Sequence, residues 1–276
     1  RQVVRERYGN IAKSATVVSG ISSSPSCCGQ SETSAPTDPT SSCCSGPQIT
    51  PQQISTLMGY SKDDVSSIAE GANLGLGCGN PVALASLKPG ETVVDLGSGG
   101  GFDCFLAAKQ VGETGQVIGV DMTPDMLSRA RMNAEKMNTT NVEFRLGEIE
   151  NLPVADNTAD IIMSNCVINL SPDKMKVYRE ALRILKPGGR LAIADIVATQ
   201  PLPPDIQQNL ALVSACVGGA ATIDDTKEML REAGFTDIRI NAKDESRELI
   251  SQWAPGEKKN AGDYVVSANI EAIKPE

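Results

Sequence analysis

Eight cysteines and the absence of histidine limit the chemistry that this chain of 276 residues can perform. Without histidine the chain lacks the most frequent general base and the most frequent metal ligand, which excludes histidine-dependent triads, histidine-rich zinc sites and facial triads. Any chemistry must therefore use carboxylates, thiols or a cofactor. The cysteines are two adjacent pairs and four single residues: Cys27-Cys28, Cys43-Cys44, Cys78, Cys104, Cys166 and Cys216.

A glycine-rich segment, Asp95-Leu-Gly-Ser-Gly-Gly-Gly101, is the second chemical feature. It follows the β-branched pair Val93-Val94 and precedes a helical pattern, as in a strand–loop–helix unit whose backbone amides approach a nucleotide. Phe102 stands where a dinucleotide fingerprint would have its third glycine. A second apolar strand ends in Asp121, about twenty residues further on, where a carboxylate can accept both ribose hydroxyls.

Two acidic strand ends beside one glycine loop suit an adenosine. The arrangement resembles the S-adenosylmethionine site of class I methyltransferases. Asp95 would then lie near the cationic end of the ligand, a position from which a pyrophosphate would be repelled. A glycine-rich loop alone does not exclude another Rossmann-type protein.

Position indicates what each single cysteine does. Cys166 ends a predicted strand beside the cofactor edge, where a methyl acceptor would have to lie, and it is therefore a candidate ligand. Cys78 lies between two glycines in a loop, an uncommon setting for a residue that only fills space. Cys216 lies at a helix end next to a glycine pair and, taken alone, is better explained as a core residue. Cys104 is expected to pack in the core.

Zinc is not favoured as the ligand of these thiols, because the chain contains no Cys-x₂₋₄-Cys pair. Thiols on separate elements can instead converge on a soft centre. Trivalent arsenic is such a centre, since it binds three sulfurs and keeps a lone pair. That lone pair is a nucleophile with no proton to lose during attack, so a methyl transfer to it needs no histidine base.

Four segments would position these residues. Residues 1–20 carry apolar side chains at helical spacing and predict an amphipathic N-terminal helix. Residues 21–50, here called the arm, are rich in Ser, Thr, Pro and Cys, and we expect them to be disordered. Residues 51–90 predict a docking segment that contains a short helix and the loop of Cys78. Residues 91–276 predict the core domain.

The core domain is predicted to be α/β. Five strands separated by helices indicate a parallel sheet, and two closing strands near 235–240 and 264–273 indicate an antiparallel edge pair. We expect a Rossmann-like, seven-stranded, mostly parallel sheet with helices on both faces, a strand over 190–197 and one helix over 204–215. Ligands of such sheets bind beyond the carboxyl ends of the strands. The polar and thiol candidates fall at that edge: Asp95, Asp121, Gly147 to Glu150, Asn165 and Cys166.

Composition narrows the class of partner. A net charge of −9 with 3% aromatic residues argues against a nucleic-acid groove or a base-stacking surface. No apolar run reaches the ~20 residues of a membrane span, and no signal peptide is visible. We therefore expect a monomeric cytoplasmic enzyme with no nucleic acid or membrane partner. Its cysteines would be thiols unless catalysis oxidises them.

Several motifs together make the chain similar to arsenite S-adenosylmethionine methyltransferases over about Gly71 to Ala242. Ser164-Asn-Cys-Val-Ile-Asn-Leu170 is the most selective of them, whereas all class I methyltransferases share the glycine loop. The other motifs are Gly75-Leu-Gly-Cys-Gly-Asn-Pro81, Asp95 to Gly101, Asp121-Met122, Gly147-Glu-Ile-Glu150, Pro172-Asp-Lys174 and Cys216-Val-Gly-Gly-Ala220.

The resemblance implies roles for the thiols. Cys166 and Cys216 would bind arsenic, Cys78 would be the third thiol, and a helical insertion near 203–234 would carry part of the arsenic site. A cysteine of the arm would form a disulfide with Cys78 during turnover. The arm does not match the family cleanly, and Cys44 is preferred among its four cysteines because it lies closest to the core.

The resemblance also implies an activity and a cofactor site. The activity is methyl transfer from S-adenosylmethionine to thiol-bound trivalent arsenic, supplied as arsenite or a thiol conjugate, with glutathione or thioredoxin as the reductant. Asp121 would bind the ribose, Met122 would contact adenine, and Ile149 and Glu150 would lie near the adenine edge. The remaining cofactor residues would be Asp95, Gly97, Ser98, Gly99 and Asn165.

Two alternatives remain open from the sequence. The first is a class I methyltransferase that acts on a small organic acceptor, with the cysteines packed in its core. The second is a thiol protein that sequesters soft metals through the paired cysteines of the arm. Sequestration would leave the glycine loop and the acidic strand ends without a role.

Overall fold

A seven-stranded sheet organises the structure, a computed structural model that describes residues 1–17, 50–251 and 261–276. The β-branched and aliphatic runs of the sequence form its strands, as expected for residues that pack well on a pleated surface. The strands are β1 (Thr92–Leu96), β2 (Gln116–Asp121), β3 (Val142–Leu146), β4 (Ala159–Asn165), β5 (Leu185–Ala198), β6 (Thr236–Lys243) and β7 (Val265–Ile273).

The strand order is β3-β2-β1-β4-β5-β7-β6. The first five strands of the chain pair in parallel. β7 lies between β5 and β6 and is antiparallel to both. The prediction of a mostly parallel sheet with an antiparallel pair at one edge is confirmed.

Helices cover both faces of the sheet. Alternate residues of β1 show this directly: Val94 and Leu96 pack into one buried cluster, and Val93 packs into another on the opposite face. The helices are α1 (Gln2–Val17), α2 (Pro51–Leu57), α3 (Lys62–Ser66), α4 (Pro81–Ala85), α5 (Phe102–Val111), α6 (Pro124–Lys136), α7 (Lys174–Ile184), α8 (Pro204–Gln207), α9 (Leu210–Ser214), α10 (Ile223–Ala233) and α11 (Arg247–Ser251). α7 and α10 contribute to the Val94 cluster, and α4, α5 and α6 contribute to the Val93 cluster.

Two elements differ from the sequence prediction. The helix expected over 204–215 is split into α8 and α9, because the side chain of Asn209 accepts hydrogen bonds from the amides of Ala211 and Leu212 and so starts a new helix. The strand expected over 190–197 begins earlier, at Leu185, and its pairing with β4 shifts register between Ala159 and Ile161. The shift accommodates Pro187, Gly188 and Gly189, which break a regular ladder.

Helix α1 packs against α6 and α9. An ion pair joins Lys13 to Asp125 at 3.2 Å, and Arg129 donates to the carbonyl of Ala12 at 2.9 Å. Arg7 donates to the hydroxyl of Ser214 at 2.7 Å. These contacts hold the N-terminal helix over the carboxyl edge of the sheet. In the described segments, no helix has the length and apolar character that a membrane crossing requires.

Candidate active site

A cavity that opens to solvent lies at the carboxyl edge of the sheet, and the space within its walls, counted together with solvent at its mouth, is about 1150 Å³. Loops that follow β1 to β4 form its wall, and Arg1, Val4 and Tyr8 close it from the side of α1. All of the cofactor residues predicted from the sequence line this cavity: Asp95, Gly97, Ser98, Gly99, Asp121, Met122, Ile149, Glu150 and Asn165.

The glycine loop turns with left-handed backbone angles, φ +73° at Gly97, +52° at Gly99 and +91° at Gly101. Such angles favour glycine. A side chain at Gly97 would collide with Val167, so packing alone requires glycine there. A Cβ at Gly99 would meet no atom within 4 Å. The backbone at Gly99 is therefore left open to the cavity.

Asp121 is fixed by the glycine loop. Its carboxylate accepts hydrogen bonds from the amides of Gly99 at 3.0 Å and Thr123 at 2.8 Å. Burial raises the pKa of Asp121, and these two hydrogen bonds act in the opposite direction. The side chain is thus held rigidly at the strand end with acceptor capacity left for hydroxyl groups.

The remaining wall fits an adenosine. The hydroxyl of Ser98 is buried and has no hydrogen-bond partner among the described residues, so a polar ligand atom would satisfy it. Met122 and Ile149 supply apolar surface. Glu150 accepts a hydrogen bond from the Ser171 hydroxyl at 2.5 Å and lies 3.2 Å from a guanidinium nitrogen of Arg1. An apolar wall with a few fixed polar groups is typical of cofactor pockets.

Two buried carboxylates, Asp95 and Asp103, face the same cavity. Burial raises the pKa of Asp95, and the charge of Asp103 raises it further. Burial also raises the pKa of Asp103, to about 6, although it accepts hydrogen bonds from Tyr60 at 2.5 Å and Asn165 at 3.1 Å. The ion pairs between described residues include neither carboxylate. This part of the cavity therefore favours a cationic ligand.

The three cysteines predicted to bind arsenic converge beside the cavity. Cys78 and Cys166 form a disulfide with their Cα atoms 5.8 Å apart. The Cys216 thiol donates to the carbonyl of Cys166 at 2.7 Å. All three residues are buried, and Cys166 also lines the cavity. Cys104 packs in the core, where its thiol donates to Asp95 at 3.2 Å.

The fourth predicted thiol, Cys44, lies outside the described residues, as do Cys27, Cys28 and Cys43. The expected disulfide between Cys78 and an arm cysteine is consequently not tested by the structure. In the described part of the chain, Cys78 is instead bonded to Cys166.

Cys166 and Cys216 both have left-handed backbone, with φ +55° and +64°. Each follows the end of a regular element, since β4 ends at Asn165 and α9 ends at Ser214. Residues other than glycine adopt this conformation at a cost and keep it only where their surroundings impose it. The apolar cluster around the cysteines, which includes Ile196 and Val217, provides such surroundings.

Sequence reasoning missed Asp195. One of its carboxylate oxygens and the sulfurs of Cys78 and Cys166 lie within 4.8 Å of one another. The carboxylate accepts hydrogen bonds from the amides of Ile168 at 2.9 Å and Ile196 at 2.7 Å, and from the Asn169 side chain at 3.0 Å. Burial raises its pKa to about 6. The sequence did contain a signal for this residue, because Asp195 is a carboxylate within the largely apolar strand predicted over 190–197.

Sequence reasoning also missed Tyr60 and Asp103. Both line the cavity and are joined by the 2.5 Å hydrogen bond described above. Asp103 is in the first turn of α5, where an acidic residue has an ordinary explanation in the helix dipole. Tyr60 lies before α3, 43 residues away, and no local pattern connects the two.

The fold and the cavity define a class I methyltransferase domain, and residues 87–234 match the methyltransferase domain family. The arsenite methyltransferase of Halobacterium salinarum is 52% identical over 100% of this chain and 66% of its own length. That of Aquipseudomonas alcaligenes is 41% identical over 73% of this chain and 58% of its own. The crystal structure of an arsenic(III) S-adenosylmethionine methyltransferase from Chlamydomonas reinhardtii superposes with a TM-score of 0.61 at 32% identity, covering 82% of this chain and 74% of that one.

The chain belongs to the arsenite methyltransferase family, as the sequence motifs predicted. It spans 66% or less of the length of these curated relatives. A phosphoethanolamine methyltransferase of Haemonchus contortus in complex with S-adenosylmethionine, 22% identical with a TM-score of 0.58, shares the fold.

Proposed function

We propose that the chain transfers the methyl group of S-adenosylmethionine to trivalent arsenic bound by cysteine thiols. The observation that carries the proposal is the convergence of Cys78, Cys166 and Cys216 beside a cavity whose wall suits a cationic adenosine ligand. A small organic acceptor would not need three buried sulfurs at this place. The names of the relatives support the same substrate.

The proposed cofactor site uses the wall of the cavity. S-adenosylmethionine, when bound, supplies a methyl group activated by a sulfonium charge. Asp121 accepts the ribose hydroxyls, and Asp95 stabilises the cationic end of the cofactor. Met122 and Ile149 contact the adenine, and Glu150 lies near its edge. Backbone and side-chain contacts come from Gly97, Ser98, Gly99 and Asn165.

The proposed arsenic site consists of the three converging thiols. Arsenite or a thiol conjugate exchanges its ligands onto Cys78, Cys166 and Cys216, and three sulfur ligands leave the arsenic lone pair free as the nucleophile. Because the lone pair carries no proton, no general base is needed, which is consistent with a chain that has no histidine. Fixing donor and acceptor side by side is worth about 7–11 kcal/mol in well-oriented reactions.

Methyl transfer formally oxidises arsenic from +3 to +5. Two thiols can return it to +3 by giving up two electrons and two protons and forming one disulfide. We propose Cys78 and an arm cysteine, preferably Cys44, for this step. The Cys78–Cys166 disulfide removes two of the three arsenic ligands, so glutathione or thioredoxin must reduce that bond before arsenic can bind all three thiols.

The test is a turnover assay with arsenite, excess glutathione and methyl-labelled S-adenosylmethionine, in which arsenic species are separated. We expect labelled methylarsenicals from the wild type and none from Cys166→Ser. Cofactor affinity of Cys166→Ser is the control, because this variant should bind S-adenosylmethionine within about twofold of the wild type. Full activity of Cys166→Ser would refute the ligand assignment. A wild type that binds the cofactor but forms no arsenic product would favour an organic acceptor.

A further inference from the structure

The loop that carries Cys78 is anchored from two sides. On one side, the amide of Cys78 donates to the carboxamide oxygen of Asn165 at 2.9 Å, and the Asn165 nitrogen donates to the carbonyl of Gly79 at 3.0 Å. On the other side, the Ser267 hydroxyl donates to the carbonyl of Cys78 at 2.6 Å. A Cβ at Gly77 would come within 2.5 Å of the Asn165 carboxamide, so the loop lies directly against that group.

The same carboxamide belongs to the wall of the cofactor cavity. The Asn165 nitrogen lies 3.1 Å from a carboxylate oxygen of Asp103 and 3.0 Å from the hydroxyl of Tyr60. Tyr60 donates to the other oxygen of Asp103 at 2.5 Å. Asn165, Asp103 and Tyr60 all line the cavity together with Asp95. A single side chain therefore connects the Cys78 loop to the acidic part of the cofactor site.

We propose that Asn165 is a positioning residue that couples the binding of a cationic ligand beside Asp95 to the placement of Cys78 for arsenic. This inference rests on the proposed function. A cation in the cavity offsets the repulsion between the Asp95 and Asp103 carboxylates, and a carboxylate that stays ionised accepts stronger hydrogen bonds than a neutral acid. One of those bonds comes from Asn165, whose other contacts hold the Cys78 loop.

Coupling of this kind is reciprocal. If the cationic ligand strengthens arsenic binding by a given factor, arsenic must strengthen the binding of that ligand by the same factor. Typical coupling between sites ranges from about 5-fold to 150-fold. The two sites proposed here are adjacent and joined by direct hydrogen bonds. We therefore expect the ratio of arsenite affinities with and without the cationic ligand to be at least about fivefold.

Ser267 provides the matched control. It anchors the same loop as Asn165, but it lies on β7 and is not part of the cavity wall. Ser267→Ala should therefore weaken arsenite binding to the same extent with and without the cationic ligand. Asn165→Ala should instead reduce the ratio between the two conditions.

The experiment measures arsenite affinity of the full chain by calorimetry in a phosphine reductant, with and without sinefungin, an unreactive cationic analogue of the cofactor. We expect sinefungin to tighten arsenite binding at least about fivefold in the wild type and in Ser267→Ala, and less than about twofold in Asn165→Ala. The reverse titration, sinefungin with and without arsenite, must give the same ratios.

Asp103→Asn is a second variant, in case Asn165→Ala does not fold. It removes the carboxylate charge that accepts a hydrogen bond from Asn165 but leaves both contacts of Asn165 with the Cys78 loop. Without sinefungin, we expect this variant to bind arsenite as tightly as the wild type does. The ratio of arsenite affinities with and without sinefungin should be smaller than in the wild type. A wild-type ratio of one, or a full ratio in Asn165→Ala or in Asp103→Asn, would overturn the inference. A wild type that binds sinefungin but no arsenite would refute the proposed function, and the inference with it.

Discussion

A substitution at Gly99 can distinguish the effect of a side chain on folding from its effect on cofactor binding. Its φ of +52° is left-handed, and a Cβ built on it meets no atom within 4 Å. Alanine at this position would keep the hydrogen bond from its amide to Asp121, which is 3.0 Å long. The added methyl group would occupy the open space of the cavity, where the proposed cofactor lies against the backbone.

The two effects of Gly99→Ala have different sizes. The left-handed backbone costs an alanine about 1–2 kcal/mol, which corresponds to a fall of about 2–8 °C in Tm for a chain of this size. A methyl group forced into a close contact costs about 1–3 kcal/mol, which is about 5-fold to 150-fold in cofactor affinity. Gly59→Ala is the matched control, because Gly59 has φ +97°, equally open surroundings and no place in the cavity wall.

Thermal unfolding and calorimetric titration with S-adenosylmethionine measure the two effects separately. Both variants should lose stability, and only Gly99→Ala should lose cofactor affinity. If Gly99→Ala melts like Gly59→Ala but binds S-adenosylmethionine as tightly as the wild type, the glycine loop does not contact the cofactor.

Three further predictions concern the two halves of the site. Asp121→Asn should weaken S-adenosylmethionine binding about tenfold and leave arsenite binding unchanged, because Asp121 contacts only the cofactor side; equal losses in both calorimetric titrations would contradict this. Since burial raises the pKa of Asp103 from 3.8 to about 6, the folded state holds this proton more tightly than the unfolded state. The free energy of unfolding should accordingly fall by about 2–3 kcal/mol between about pH 4 and pH 6, and urea titrations should show a smaller fall for Asp103→Asn; identical slopes would refute the assignment. Replacing all four arm cysteines by serine should slow repeated turnover but spare the first methyl transfer in a rapid-quench assay, and unchanged repeated turnover would rule out a redox role for the arm.

The sheet could be predicted because its signals are local. β2 and β4 are short apolar runs that end in a polar residue, and β1 is a similar run with Asp95 one residue before its end. The region after β5 was predicted less well, because a single helix N-cap determines where its helices begin and end. Asn209 accepts two amide hydrogen bonds and divides one expected helix into two.

The cavity at the carboxyl edge was predictable for the same reason. Residues at the carboxyl ends of neighbouring parallel strands necessarily share one edge, so Asp95, Asp121 and Asn165 line one cavity. Local patterns did not predict contacts between elements distant in sequence. Cys78 and Cys166 are 88 residues apart, and only the family resemblance implied that they lie together. Asp195 was missed because it reaches them only through the pairing of β5 with β4.

The adjacency of Asn165 and Cys166 has a physical consequence for the proposed reaction. Reacting atoms must lie about 3–3.5 Å apart. In the proposed reaction Asn165 faces the cofactor and the next residue, Cys166, binds arsenic, so the backbone links the two binding sites directly. The arrangement requires left-handed backbone at Cys166 and a glycine at position 97, where a side chain would collide with Val167. In the proposed reaction one strand end holds both reactants, so small shifts in sheet packing should move the two together and preserve their separation.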